Sequence, residues 1–224
     1  MRNPFIHVTV DIVIFSIHEG LLKVLLVKRG IPPFKGSFAI PGGFVHEEES
    51  LEQAALRELR EETGVANVYL EQLYSFGDPA RDPRGRIVTV AYFALISADR
   101  APLTASGDVT EARWFSVNAL PPLAFDHGKI IEYALERLKN KLEYTTVGFQ
   151  LLPARFTLSE LQEVYEAILS RKLDKRNFRR KLALLKILKP VSDYRRTGRR
   201  PARLYEFVAA RFEKLRDKGI LFPF

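Results

Sequence analysis

The residues best suited to chemistry lie between Gly43 and Val65, a stretch reading GFVHEEESLEQAALRELREETGV. Ser50 and Gln53 form a capping-box pair and Gly64 is a natural helix stop, so the spacing predicts a helix between them. On that helix Glu58, Glu61 and Glu62 fall at i, i+3 and i+4 and share one face. Like charges so placed repel, which costs stability unless a cation or partner sits among them. Clustered carboxylates offer only oxygen donors. Such a set favours Mg²⁺ or Mn²⁺, hard ions that also bind substrate phosphates. Taken alone, the glutamates also fit a solvated acidic face balanced by Arg57 and Arg60.

The elements that must position this helix come from alternating apolar sequence on either side. Residues 6–15 and 22–28 suit strands joined by a turn at Glu19 and Gly20. A short extended piece, 37–40, ends at Pro41, Gly42 and Gly43. Further strands are expected over 68–76, 86–96 and 112–117, and a second helix over 129–142. Strands and helices mix without strict alternation, so the expected fold class is α+β.

Beyond residue 144 the pattern changes. Leu158, Leu161, Val164, Tyr165, Ile168 and Leu169 recur at helical spacing, with Thr157 or Ser159 as the cap. A polar turn at 174–177 is expected to precede a basic helix at 178–188. A hairpin over 191–207, turning at Arg196, Thr197 and Gly198, and a last helix at 207–218 follow. Helix, turn, basic helix and hairpin together outline a winged helix-turn-helix. The expected domains are 1–148 and 149–224.

Charge divides along the same line. Of 35 Lys and Arg against 27 Asp and Glu in the whole chain, residues 146–224 hold 19 against 8, leaving the first 145 residues mildly acidic. A basic segment on an acidic domain points to a polyanion partner. Lys175, Arg176, Asn177, Arg179 and Arg180 stand at the start of the basic helix, where a helix-turn-helix makes its groove contacts. Arg196, Arg199 and Arg200 stand in the wing, within reach of phosphates or a minor groove. Double-stranded DNA is the expected partner of all eight.

Other classes are excluded. The chain has no Cys, which removes disulfide scaffolds, zinc-thiolate sites, iron–sulfur clusters and cysteine nucleophiles. The longest apolar run, 87–98, is far short of the roughly 20 residues of a membrane helix, and no signal-peptide core opens the chain. A cytoplasmic protein with no membrane partner is expected.

The stretch from Gly43 to Val65 resembles the Nudix box, G-x5-E-x7-R-E-U-x-E-E-x-G-U, with U a bulky apolar residue. Gly43, Glu49, Arg57, Glu58, Leu59, Glu61, Glu62, Gly64 and Val65 fill every specified position. The resemblance implies that Glu58, Glu61 and Glu62 bind a divalent metal, Mg²⁺ or Mn²⁺, with Glu58 and Glu62 catalytic. It gives Glu49 and Arg57 a structural pairing, and Gly43 and Gly64 structural roles. The reaction implied is attack of water on a pyrophosphate, with Glu58, Asp108 or Glu111 left open as the base. Arg81, Arg84 and Arg86 lie in a segment similar to one in ADP-ribose-recognising Nudix proteins. They are the expected ligand-binding residues, since guanidinium groups make charge-assisted bonds to phosphate.

A Nudix-like domain followed by RNFRRKL (176–182) and GRRPARLYEF (198–207) resembles the Nudix-related transcriptional regulators of the NrtR type. The resemblance implies a homodimeric DNA-binding regulator, expected to repress genes of NAD metabolism or sugar catabolism and to sense ADP-ribose or a related nucleotide. An active Mg-dependent ADP-ribose pyrophosphatase with an accessory basic domain is one alternative. A sugar-responsive regulator using the Nudix domain as scaffold is another.

Overall fold

The computed structural model describes residues 5–66, 68–100, 109–196 and 201–216. The chain divides into two compact units, one drawn from Met1–Ser16 and Lys23–Leu135, the other from Ile17–Leu22 and Glu136–Phe224.

The first unit is built on a seven-stranded mixed sheet. Its strands are β1 (His7–His18), β2 (Leu21–Arg29), β3 (Phe38–Ala39) and β4 (Gly42–Phe44), then, after helix α1 (Leu51–Thr63), β5 (Tyr69–Phe76), β6 (Ile87–Leu95) and β7 (Val109–Ser116). Helix α2 (His127–Lys141) follows. The main path runs β3-β2-β1-β6-β5, with β4 added to β1 and β7 to β2. β1 and β6 run parallel, placing Val10 opposite Val90, Ile12 opposite Tyr92 and Ile14 opposite Ala94. These residues pack with Ala54, Ala55 and Leu59 of α1 in one core cluster. Side chains alternate across a strand, so Thr9 and Asp11 point to the other face of β1. The turn at Glu19 and Gly20 forms as expected, both residues having positive φ (55° and 73°). β7 starts three residues before the expected 112, because its pairing with β2 continues from Val27–Ala112 through Lys28–Glu111 to Arg29–Val109.

Helix α1 is fixed by its own ends. Ser50 Oγ accepts from the Gln53 amide, and Gln53 Oε1 accepts from the Ser50 amide at 2.8 Å. Gly64 ends the helix in the left-handed region (φ 72°), its amide donating to the Arg60 carbonyl.

The second unit holds α3 (Leu158–Leu169), α4 (Lys175–Leu185), the hairpin β8 (Leu188–Arg196) and β9 (Pro201–Phe207), and α5 (Ala209–Arg216). Thr157, not Ser159, caps α3, through a reciprocal pair with Glu160. The expected turn at 174–177 is instead the cap and first turn of α4. Asp174 Oδ1 accepts from the Asn177 amide at 2.7 Å, so the helix begins at Lys175. It also ends early, because Lys186 takes a left-handed φ of 53° and Leu188 opens β8. Tyr165, Phe178, Leu182, Ile187 and Leu204 are buried between these elements. Tyr165 and Phe178 meet edge to face, and Phe149 stacks on Phe207 at 4.4 Å. The tip of the hairpin, with the expected turn residues Thr197 and Gly198, lies outside the described residues.

Candidate functional site

In the first unit, β1, β4 and α1 bring their polar residues to one cavity of about 430 Å³. β4 pairs with β1 so that Gly42 lies opposite Asp11 and Gly43 opposite Val10. Gly42 is required at that point, since a Cβ there would collide with the Val10 carbonyl oxygen; at Gly43 a Cβ would push the Glu58 carboxylate out of its place. Gly42 donates its amide to Glu62 Oε2 at 3.0 Å. Glu58, Glu61 and Glu62 all line the cavity, as their spacing predicts.

Arg57 organises the glutamates. It donates through Nε and Nη2 to the two oxygens of Glu49, at 3.0 and 2.6 Å. It also reaches Glu58 Oε1 at 2.7 Å, Glu61 Oε2 at 3.3 Å and the Phe44 carbonyl at 3.0 Å. Hydrogen bonds from Arg57 and from the His46 amide hold the Glu49 carboxyl down at a pKa of about 2. Glu49 and Arg57 therefore tie the loop before α1 to the helix itself.

The two inner glutamates are held against their ordinary chemistry. Burial pushes Glu62 up to a pKa of about 8; the Gly42 amide counters this, and the Glu58 and Asp11 carboxylates add to it. Burial likewise raises Glu58, against the pull of Arg57. Buried carboxylates with raised pKa values are the groups a divalent cation would relieve. Among the described residues no three Asp, Glu or His side chains converge closely enough to hold an ion as they stand. The donor set is nonetheless of the right chemistry for a hard cation, being all carboxylate oxygen.

A second charged group backs the cavity. Arg81 is almost fully buried, donating to Asp126 through Nε (3.1 Å) and Nη2 (2.8 Å) and to Asp11 Oδ2 at 3.3 Å. His127 Nδ1 accepts the Ile40 amide at 3.1 Å, which leaves Nε2 to carry the proton, 3.7 Å from Asp11 Oδ1. Burial lowers the His127 pKa, Asp11 opposing the effect only in part. Arg84 is gripped by both oxygens of Asp82, at 3.0 and 2.7 Å, and its guanidinium lies over the rings of Phe44 and Phe125. Arg81 and Arg84 line the cavity. Arg86 does not: it turns away and donates to the Gly77 carbonyl at 2.6 Å, holding its own loop.

Of the residues offered as base, Glu58 lies in the cavity, whereas Glu111 sits on β7 with Lys28 at 3.9 Å and Arg113 at 3.5 Å. Asp108 is outside the described residues. The sequence reading missed Asp11, Arg29, Phe44, Phe125 and His127, which also line the cavity. For Asp11 a signal was present, since a carboxylate inside the apolar run of β1 is out of place unless it is used.

In the second unit, Lys175, Arg176, Arg179 and Arg180 are exposed on α4, with Asn177 half-buried, while Phe178 and Leu182 face inward. Arg180 Nη2 donates to Asn177 Oδ1 at 3.0 Å and Arg179 lies 3.5 Å from Ser159 Oγ. Arg196 is exposed at the end of β8, and Arg199 and Arg200 fall outside the described residues.

A mixed sheet presenting a capped glutamate helix to a polar cavity defines a Nudix domain, and α3, α4 and the β8–β9 hairpin form a winged helix-turn-helix. The NUDIX domain family matches residues 5–134 and the NrtR DNA-binding winged helix domain family matches 148–207; the chain belongs to the Nudix family, in the branch that carries this winged helix. It is 41% identical over 219 residues to the "ADPR responsive transcriptional repressor NtrR" of Acinetobacter baylyi, covering 96% of this chain and 85% of that protein. It is similar to the crystal structure of Shewanella oneidensis NrtR complexed with a 27mer DNA, with a TM-score of 0.82 and 40% identity over 92% of this chain and 95% of that one. It is also similar to the NUDIX domain of Shewanella oneidensis NrtR complexed with ADP ribose, with a TM-score of 0.57 and 44% identity over 62% of this chain and 90% of that one. No helix among the described residues is long and apolar enough to cross a membrane.

Proposed function

We propose that this chain is a DNA-binding transcriptional repressor that senses ADP-ribose, or a related nucleotide, in the cavity of its Nudix domain. The observation that carries the reading is the pairing of two sites in one chain: a polar cavity walled by arginines and glutamates, and a helix whose outer ridge is cationic. The relatives named above, one an ADPR-responsive repressor and another crystallised on DNA, support it. The regulated genes would belong to NAD metabolism or sugar catabolism, and the working location would be the cytoplasm. We assign ligand sensing to residues 1–148 and DNA binding to 149–224, with a homodimer reading two half-sites.

Within the cavity, Arg84 is the guanidinium placed to meet ligand phosphate, since Asp82 and two rings hold it rigid at the wall. Arg81 acts one step back, holding Asp11 and Asp126 in place. Glu58, Glu61 and Glu62 would hold Mg²⁺ or Mn²⁺, an ion that supplies charge neutralisation for phosphate oxygens. A mobility-shift titration of the DNA upstream of the protein's own gene, with and without ADP-ribose, tests the reading. A ligand-dependent change in the shift supports it.

The intact glutamate cluster favours a second activity alongside the first, Mg-dependent hydrolysis of ADP-ribose to AMP and ribose 5-phosphate. Of the residues offered as base, Glu58 lies in the cavity and as a carboxylate is suited to accept a proton from attacking water.

A further inference from the structure

On α4 the outward ridge does not end in charge. Arg176, Arg180 and Leu184 succeed one another at four-residue intervals, so they share one face of the helix, and all three are exposed. Leu184 is 75% exposed, while Phe178 and Leu182 on the opposite face supply the helix's contribution to the core. A leucine that contributes little to packing, in line with two arginines on the helix set to enter a groove, suits a partner that is both anionic and locally apolar. Duplex DNA is such a partner. In the major groove, arginine reads guanine through O6 and N7, and the apolar group on offer is the thymine C5 methyl.

We propose that Leu184 is a base-reading residue that packs on a thymine methyl, and that it sets part of the operator sequence. This rests on the DNA-binding reading above and adds the base chemistry. The geometry gives the spacing as well. Arg180 Nη2 donates to Asn177 Oδ1 at 3.0 Å, which draws the guanidinium towards the N-terminal end of the helix. One helical turn separates Arg180 from Leu184, about 6 Å along the axis, close to two base-pair steps of about 3.4 Å. Each half-site therefore carries a thymine at least about two base pairs from the guanine met by Arg180.

The test uses the full chain. Duplexes are first enriched from a random pool, and each thymine of the enriched site is then replaced singly by deoxyuridine, which removes the methyl and leaves the pairing edge intact. One thymine per half-site, near a guanine at the stated spacing, should lose about fourfold in affinity, the worth of one buried methyl-sized group. Leu184→Ala should bind that site more weakly by a similar factor, bind random DNA as the parent does, and be indifferent to the deoxyuridine. A silent deoxyuridine scan with the parent overturns the inference while leaving DNA reading intact. So does equal sensitivity in Leu184→Ala, or a change in its oligomeric state, which would put Leu184 in a protein interface. If no duplex is enriched at all, the DNA reading fails and the inference with it.

Discussion

Gly42 donates its amide to Glu62 Oε2 at 3.0 Å, so the strand beside β1 fixes a carboxylate that burial raises to a pKa of about 8. A glutamine at position 62 can accept the same hydrogen bond without the charge. Glu62→Gln should therefore keep the fold and its melting temperature, because burial already favours the neutral form of the Glu62 side chain when no metal is bound. A neutral amide is a poorer ligand for a hard cation, so Mg-dependent release of AMP from ADP-ribose should fall by at least about tenfold. Rates equal to the parent's would take the metal off this helix.

Arg81 should matter more to folding than a ligand-binding arginine would. Its side chain is 3% exposed and its partners Asp11 and Asp126 are 10% and 12% exposed. Arg81→Ala would leave two buried carboxylates unpaired, at a cost of about 3–5 kcal/mol. Urea denaturation of the first unit should show that loss with no ligand present. Unchanged stability, with only nucleotide affinity reduced, would restore Arg81 to the role of a direct phosphate contact.

His127 gives the fold a pH dependence with a definite sign. Its folded-state pKa lies below 6.5, because burial disfavours the imidazolium. Between that folded value and 6.5 the unfolded chain takes up a proton that the folded one refuses. Its contribution to stability is therefore complete above 6.5 and is lost as pH falls through that window. In NMR titration the His127 ring should gain its proton only below the pH at which an unstructured histidine does, and His127→Gln should flatten the stability profile below 6.5. A ring titrating at or above 6.5 would contradict this account.

How far the sequence could be read follows from how local each feature is. Helix α1 was legible because its cap, its stop and its three glutamates lie within fifteen consecutive residues, and helical spacing alone puts Glu58, Glu61 and Glu62 on the face that lines the cavity. The wall behind them was not, because Asp11, Arg81 and His127 are joined only through the register of β1 and the path of distant loops. Arg81, Arg84 and Arg86 have one chemistry and nearly one position in the sequence, yet one is buried in ion pairs, one is stacked at the cavity and one closes a loop on Gly77. Only the fold distinguishes them. The early start of α4 was a matter of weighing: Asp174 reads equally as a turn residue or as a cap, and its bond to the Asn177 amide decides for the cap.

The central claim is that one chain couples a nucleotide in the Nudix cavity to DNA held by the winged helix. The most direct measurement is the affinity of the full-length protein for an enriched duplex, by fluorescence anisotropy at fixed salt, with and without saturating ADP-ribose. Two coupled sites predict that ADP-ribose shifts the DNA dissociation constant by about 5-fold to 150-fold, and that DNA shifts the ADP-ribose affinity by the same factor. Identical DNA affinity at saturating ADP-ribose, with ligand binding confirmed on the same sample, would contradict it.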